Sequence, residues 1–179
     1  MTKQAECAGA AGAGKLAGAG AADELATLQH YLETCAGLRR ALGIEGPAPQ
    51  LHRFAQGECN VNYRFAAPQA ALDQLETRGG VRSDRLVLRV NHVSQMHLEN
   101  QITYEFSALD LLESCGRTPR TLWCDASRTA VPWGVGVEEL LPGRPLSYQT
   151  DMPEAARILA DVHAVEVTGA GRRTLICPT

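Results

Sequence analysis

Arg85-Leu86-Val87-Leu88-Arg89-Val90-Asn91 is the stretch on which the fold turns. Leu86, Leu88 and Val90 fall on one face of an extended chain, with Val87 and Arg89 on the other. That alternation predicts a half-buried strand over 85–91 that carries a cation on its second face. Downstream, Ser94 reads as the cap of a long helix ending near Gly116. Leu98, Ile102, Glu105, Leu109 and Leu112 share one stripe of it, and its length at 1.5 Å per residue would be about 30 Å. Glu105 is the odd member. A carboxylate on an apolar stripe is costly to bury unless a cation meets it. Arg89 is the natural partner, so the strand and the helix are expected to lie together with these two side chains paired.

Upstream, residues 50–66 read as a β-hairpin. Val61, Tyr63 and Phe65 alternate with Asn62 and Arg64, and the turn is Gly57-Glu58-Cys59-Asn60. A short helix from Pro68 to Glu76 and a mobile run at Arg78-Gly79-Gly80 are expected before the next strand. Beyond Gly116, two more strands are expected near Thr121–Cys124 and Ala130–Leu141, joined by the turn Asp125-Ala126-Ser127. Pro142-Gly143-Arg144-Pro145 ends the sheet, and a last helix from about Pro153 to Val165 has Asp151 available as its cap. Sequential hairpins with a single intervening helix predict an α+β fold with an antiparallel sheet of about five strands.

The N-terminal region divides in two. Fourteen of the first 22 residues are Ala or Gly without periodicity, which predicts a disordered tail. Gly9 to Lys15 has the spacing of a phosphate-binding loop. Leu16 stands where a Ser or Thr should hold magnesium, so the match reads as chance. From Asp23, Leu25, Leu28, Leu32, Cys35, Leu38 and Leu42 recur at helical spacing, with Asp23 as cap and Gly43 as stop. The expected organisation is a disordered tail over 1–22, a lobe over 23–141 that opens with the N-terminal helix and, over 142–179, a linker and the first part of a further lobe.

The totals exclude some classes of function. A net charge of −3 lacks the basic face that a nucleic-acid partner needs. No stretch approaches the 18 consecutive apolar residues of a membrane span. None of the six cysteines forms a Cys-x-x-Cys pair, which predicts free thiols and a cytoplasmic setting.

Three features point to a ligand. A strand cation paired with a helix carboxylate can fix phosphates, although a purely structural ion pair is the competing reading. Gly57 opening a hairpin allows backbone amides to approach phosphate oxygens, and Asn60 adds a side-chain donor. Glu139-Leu140-Leu141-Pro142-Gly143 reads as a stiff crossover whose backbone could bond an adenine edge between aliphatic side chains.

In order, these segments resemble the aminoglycoside phosphotransferase and choline kinase superfamily. The resemblance runs through Gly57-Glu58-Cys59-Asn60-Val61-Asn62-Tyr63, Leu88-Arg89-Val90-Asn91 and Tyr104-Glu105-Phe106-Ser107-Ala108-Leu109. It continues through Thr118-Pro119, Glu139-Leu140-Leu141-Pro142-Gly143-Arg144-Pro145-Leu146 and Leu159-Ala160-Asp161-Val162-His163-Ala164. It implies the N-terminal lobe of a kinase-like fold that binds ATP, with magnesium held by residues of a second lobe. It also implies Arg89 in the role of the phosphate-anchoring lysine, paired with Glu105. Glu139 and Leu141 would supply the adenine-binding backbone, with Gly57, Asn60 and Val87 completing the site. His163 looks structural.

One departure from the family pattern governs the expected activity. The five histidines are followed by Tyr31, Arg53, Val93, Leu98 and Ala164, and none has an Asp two residues on. The 179 residues therefore lack the family's His-Gly-Asp catalytic loop, and no Asp-Phe-Gly-like metal motif is present. No catalytic residue and no metal ligand is assigned in this chain. A small hydroxyl-bearing acceptor is expected only where a second lobe is present, and self-association is expected through the apolar surface that such a lobe would cover. The alternatives are a non-catalytic lobe that binds nucleotide or a partner, and a fragment without function.

Overall fold

The computed structural model describes residues 19–75, 83–94 and 97–166. Five strands form one antiparallel sheet: β1 (His52–Gln56), β2 (Asn60–Ala66), β3 (Arg85–Asn91), β4 (Thr121–Asp125) and β5 (Gly134–Glu139). Their order across the sheet is β1-β2-β3-β5-β4. The helices are α1 (Ala19–Thr34), α2 (Ala36–Leu42), α3 (Gln69–Gln74), α4 (Gln101–Leu112) and α5 (Met152–His163). The architecture is α+β with a five-stranded antiparallel sheet, as the order of elements predicts. Among the described residues, no helix is long and apolar enough to cross a membrane.

The register sorts the central side chains into two layers. Tyr63, Leu88 and Val137 lie in one row, as do Val61, Val90 and Val135, all facing the same side. That side meets Leu28, Tyr31 and Leu32 of α1 and Leu38 and Leu42 of α2, and together they form the buried core. On the opposite side, Asn62, Arg89 and Gly136 form one row, and Asn60, Asn91 and Gly134 form the next. A third row places Arg64 and Val87 beside Glu138.

The two glycines of β5 explain how α4 seats on this second side. A Cβ at Gly136 would stand 2.1 Å from Phe106 Cζ, and one at Gly134 would stand 2.6 Å from Ile102 Cγ2. Phe106 and Ile102 thus rest directly on the sheet backbone. Glu105, their neighbour on the helix, is carried toward β3. Gly136→Ala should force the helix away and cost about 1–3 kcal/mol, the usual penalty of overpacking. Chemical denaturation will measure it, and an unchanged midpoint would mean that α4 does not rest on β5.

Several boundaries differ from those predicted. The N-terminal helix begins at Ala19, so residues 19–22 of the expected tail are helical and Asp23 lies inside the helix. The Asp23 carbonyl accepts from Thr27 Oγ1 at 2.8 Å, as an interior residue does. Residues 1–18 and the Arg78-Gly79-Gly80 run lie outside the described residues. The single predicted helix over 23–42 is two, because Cys35 adopts an extended backbone (ψ 102°) between α1 and α2. Gly43 does stop α2, with φ at +65°, and a side chain there would also strike Ala70.

The helix after β3 is shorter than the predicted 30 Å. It spans 12 residues, about 18 Å, followed by a 3-10 turn over Glu113–Cys115. Ser94 does not cap it, and its Oγ accepts from Leu98 N–H at 2.8 Å. His97 follows in the left-handed region with φ at +55°, which the helix could not propagate through. Strand β5 is likewise shorter at both ends than the predicted Ala130–Leu141, because Pro132 and Pro142 flank it and lack an N–H for the ladder. The last helix runs over Met152–His163, close to the predicted span. Asp151 precedes it but does not cap its amides. Its carboxylate accepts instead from Ser147 N–H, Thr150 Oγ1 and the Arg144 guanidinium.

Candidate nucleotide site

The ion pair expected from the sequence forms. Arg89 Nε stands 3.0 Å from Glu105 Oε2, a charge contact not aligned as a hydrogen bond. The two side chains are 29% and 21% exposed, so the pair is half-buried at the wall of a cleft. The helix stripe that faces the sheet runs through Gln101, Ile102 and Phe106, and Glu105 lies at its edge rather than at its centre. The predicted stripe placed it centrally because Leu98, which anchored that stripe, precedes the helix.

Two groups that the sequence reading passed over complete the Arg89 environment. Glu138 reaches Arg89 Nη1 at 3.4 Å from β5, and only 7% of the residue is exposed. Among the described residues, nothing bonds its Oε2. Burial pushes its carboxyl above the usual carboxylate range, and the positive charge of Arg89 opposes that shift without cancelling it. Strand alternation carried the signal: Val135 and Val137 face the core, so Glu138 must face Arg89's side. Gln101 is the second group. It lies one helical turn before Glu105, and its Nε2 donates to Glu105 Oε1 at 2.6 Å.

Asn60 also turns toward Arg89. With its carboxamide oxygen facing the guanidinium, which only donates, it accepts from Nη2 at 3.1 Å and from Nε at 3.2 Å. Asn60 therefore orients the cation, whereas the sequence reading made it a donor toward the ligand. Gly57 opens the hairpin turn, its N–H donating to Asn60 O at 2.8 Å. Its φ is not in the left-handed region, and a Cβ there would meet only Asn60 O at 3.8 Å. The turn itself does not require glycine, so the bare position leaves open space above Arg89.

These residues enclose a cleft of about 370 Å³ lined by the 57–60 turn, Asn62, Arg89, Gln101 and Glu105. Its chemistry is mixed. Arg89 offers donors, while Asn62 Oδ1 and Gln101 Oε1 are buried acceptors without a partner among the described residues. An unmet buried acceptor costs about 1–3 kcal/mol, which a ligand or water can relieve. Val87 is buried in the same row as Glu138, toward the end of β3 nearer the crossover. Glu139 closes β5, its N–H donating to Arg120 O at 2.9 Å, and its side chain faces the opposite side with Leu86. Leu140 N–H donates to Arg85 O at 3.3 Å, and among the described residues nothing bonds the Leu141 N–H. Leu141 itself is 37% exposed. Gly57, Asn60, Arg89 and Glu105 thus share one cleft, while Val87, Glu139 and Leu141 sit along the strand ends beside it.

Neither a protein-family model nor a curated protein matches the chain. Among solved structures, one described as a candidate aminoglycoside phosphotransferase from Ralstonia eutropha JMP134 aligns with a TM-score of 0.43 and 13% identity. The alignment covers 68% of this chain and 29% of that one. A likeness at that level carries no argument, so the functional reading rests on the residues of the cleft.

The state of Glu138 makes one expectation measurable. Its folded pKa is raised, so its stabilising contribution is present below the ordinary carboxylate range and lost as pH rises through the raised value. Glu138→Gln removes that dependence. Relative to the native chain, the variant should gain melting temperature on going from mildly acid to neutral pH. Parallel curves for the two proteins would place the carboxyl in solvent.

Proposed function

We propose that this chain is the nucleotide-binding lobe of a small-molecule phosphotransferase of the aminoglycoside phosphotransferase and choline kinase type. The observation that carries the reading is the Arg89–Glu105 contact at 3.0 Å, held beneath an open glycine turn by a helix seated on two strand glycines. In this role Arg89 takes the α- and β-phosphates of ATP, and Glu105, Glu138 and Asn60 fix its guanidinium plane. The backbone of the 57–60 turn lies over the phosphates. The adenine lies against Val87, with the Glu139 carbonyl and the Leu141 N–H along its edge.

A triphosphate suits the donors of the cleft, and its accompanying magnesium suits the surplus of acceptors. Magnesium supplies charge neutralisation on the phosphates when bound. Transfer to a hydroxyl-bearing acceptor needs a base and metal carboxylates, which belong to a second lobe. Binding by this lobe alone is weak, because one wall of the cleft cannot share the ordering cost.

A second reading, self-association, has its own observation. Leu146, Tyr148, Met152 and Leu159 are exposed at 49%, 80%, 47% and 57% along the linker and α5. Sedimentation velocity as a single monomeric species at all concentrations would dispose of it.

The nucleotide reading is tested by thermal unfolding with ATP and magnesium. Ligand at about ten times its dissociation constant stabilises by about 1.4 kcal/mol, a shift of several degrees for a domain of this size. Adenosine without phosphates should give less. A melting temperature indifferent to millimolar-range nucleotide would contradict the proposal.

A further inference from the structure

We propose that α5 is a hinged arm, latched to the rest of the fold through Arg117. Salt, or loss of that one cation, releases the arm while the sheet stays folded.

The arm has little apolar hold on its surroundings. None of its 12 residues is buried, and the core cluster includes none of them. Its largest apolar side chains, Met152, Ile158 and Leu159, are exposed. The half-buried positions are Glu154, Ala155, Asp161 and Val162, two carboxylates and two modest apolar groups. So small a burial contributes little, because hydrophobic stabilisation scales with the apolar area removed from water. A helix of about 12 residues is marginal in water by itself, so α5 draws its order from what it touches.

What it touches is Arg117, just beyond the 3-10 turn that follows α4. Nε and Nη2 each stand 2.7 Å from Asp161 Oδ2, and Nη1 lies 3.7 Å from Glu154 Oε1. The two carboxylates are about two helical turns apart on one face, so a single guanidinium spans most of the arm. Its side chain is 38% exposed and the Asp161 side chain 45%, so water and ions reach the contact. Exposed pairs of this kind are weak and are screened by salt. The latch is therefore easily opened.

The linker supplies the joint. Asp151 grips Arg144 and the Ser147 N–H, which makes 144–163 one piece. The last bond on the sheet side is Leu140 N–H to Arg85 O. Between these points, Leu141, Pro142 and Gly143 are exposed and hold no hydrogen bond to either piece among the described residues. A Cβ at Gly143 would meet nothing within 4 Å. Motion concentrates in those three residues, and it opens the cavity of about 550 Å³ that Arg117 and Asp161 line with Gly116 and Val165.

Native-state hydrogen exchange of the full chain measures the release, because a detached α5 loses protection while the strands keep theirs. Raising sodium chloride from about 0.05 M to about 1 M shortens the screening length to about 3 Å. It should speed exchange of the α5 amides and leave β3 unchanged. At low salt, Arg117→Ala should speed α5 exchange about threefold to fivefold, the reach of an exposed ion pair. Arg117→Asp should go further, and adding Asp161→Arg to it should recover protection. Amide spectra show that each variant is folded. Exchange in α5 that ignores both salt and Arg117 would mean that Ala155 and Val162 hold the helix, and overturns the proposal. So does exchange that rises equally in α5 and β3, since the helix then opens only with the whole fold.

Discussion

Arg89→Ala should be the most damaging single change in the sheet, costing about 3 kcal/mol and removing nucleotide binding. The side chain is held between Glu105 at 3.0 Å and Glu138 at 3.4 Å, so its loss leaves two carboxylates facing each other. Breaking a fully buried pair costs about 3–5 kcal/mol, and the 29% and 21% exposures set this case at the lower end. Arg89→Lys should be milder for stability, since the charge remains. It still loses the planar fork that meets Glu105, Glu138 and Asn60 together. A double-mutant cycle identifies the cause. In a Glu138→Gln background, Arg89→Ala should be less costly by about 1 kcal/mol, because one of the stranded charges is gone. Equal costs in both backgrounds would show that Glu138 does not act through Arg89.

The second large effect is a complete absence. The 179-residue chain should show no phosphotransferase turnover with ATP, magnesium and any acceptor, choline, ethanolamine and aminoglycosides included. Transfer needs a group that orients the attacking hydroxyl and carboxylates that hold the metal. Beyond the linker, Asp151 and Asp161 are the two aspartates, and both have other partners. Asp151 is gripped by Arg144 at 2.7 and 2.9 Å and by Ser147 N–H at 2.8 Å, which holds its carboxyl far below the usual range. Asp161 lies within α5 and accepts from Arg117 Nε at 2.7 Å, tying that helix to the turn after α4. Radiolabelled phosphate transfer by the purified chain is the measurement. Turnover abolished by Asp161→Asn would mean that the helix carries the base after all.

The sheet was legible because its signal is local. Alternation in 60–66 and 85–91 sets both strands, and one face of each is apolar enough to fix the register. The Arg89–Glu105 pair was legible for a different reason: a charge at an otherwise apolar position advertises its need for a partner. What escaped was set by tertiary packing. Gly134 and Gly136 look like flexible strand residues in isolation, yet they are the seats of Ile102 and Phe106. Without that contact the start of α4 cannot be placed, and the stripe drawn from Leu98 misplaces Glu105. Glu138 was passed over beside Glu139, although alternation with Val135 and Val137 already sets it on the Arg89 face. Asn60 was read as a ligand donor because its proximity to Arg89 depends on the closure of the hairpin.

A nucleotide held by the Arg89 cleft and the adjoining strand ends must perturb the backbone amides around it. Backbone amide mapping by NMR, with ATP and magnesium added to the full chain, tests it most directly. Shifts are expected at Gly57, Glu58, Cys59 and Asn60 for the phosphates and at Val87 and Leu141 for the base, with none of these shifts surviving in Arg89→Ala variants that remain folded. Shifts confined to α5 and the linker, or a spectrum unmoved by nucleotide, would contradict it.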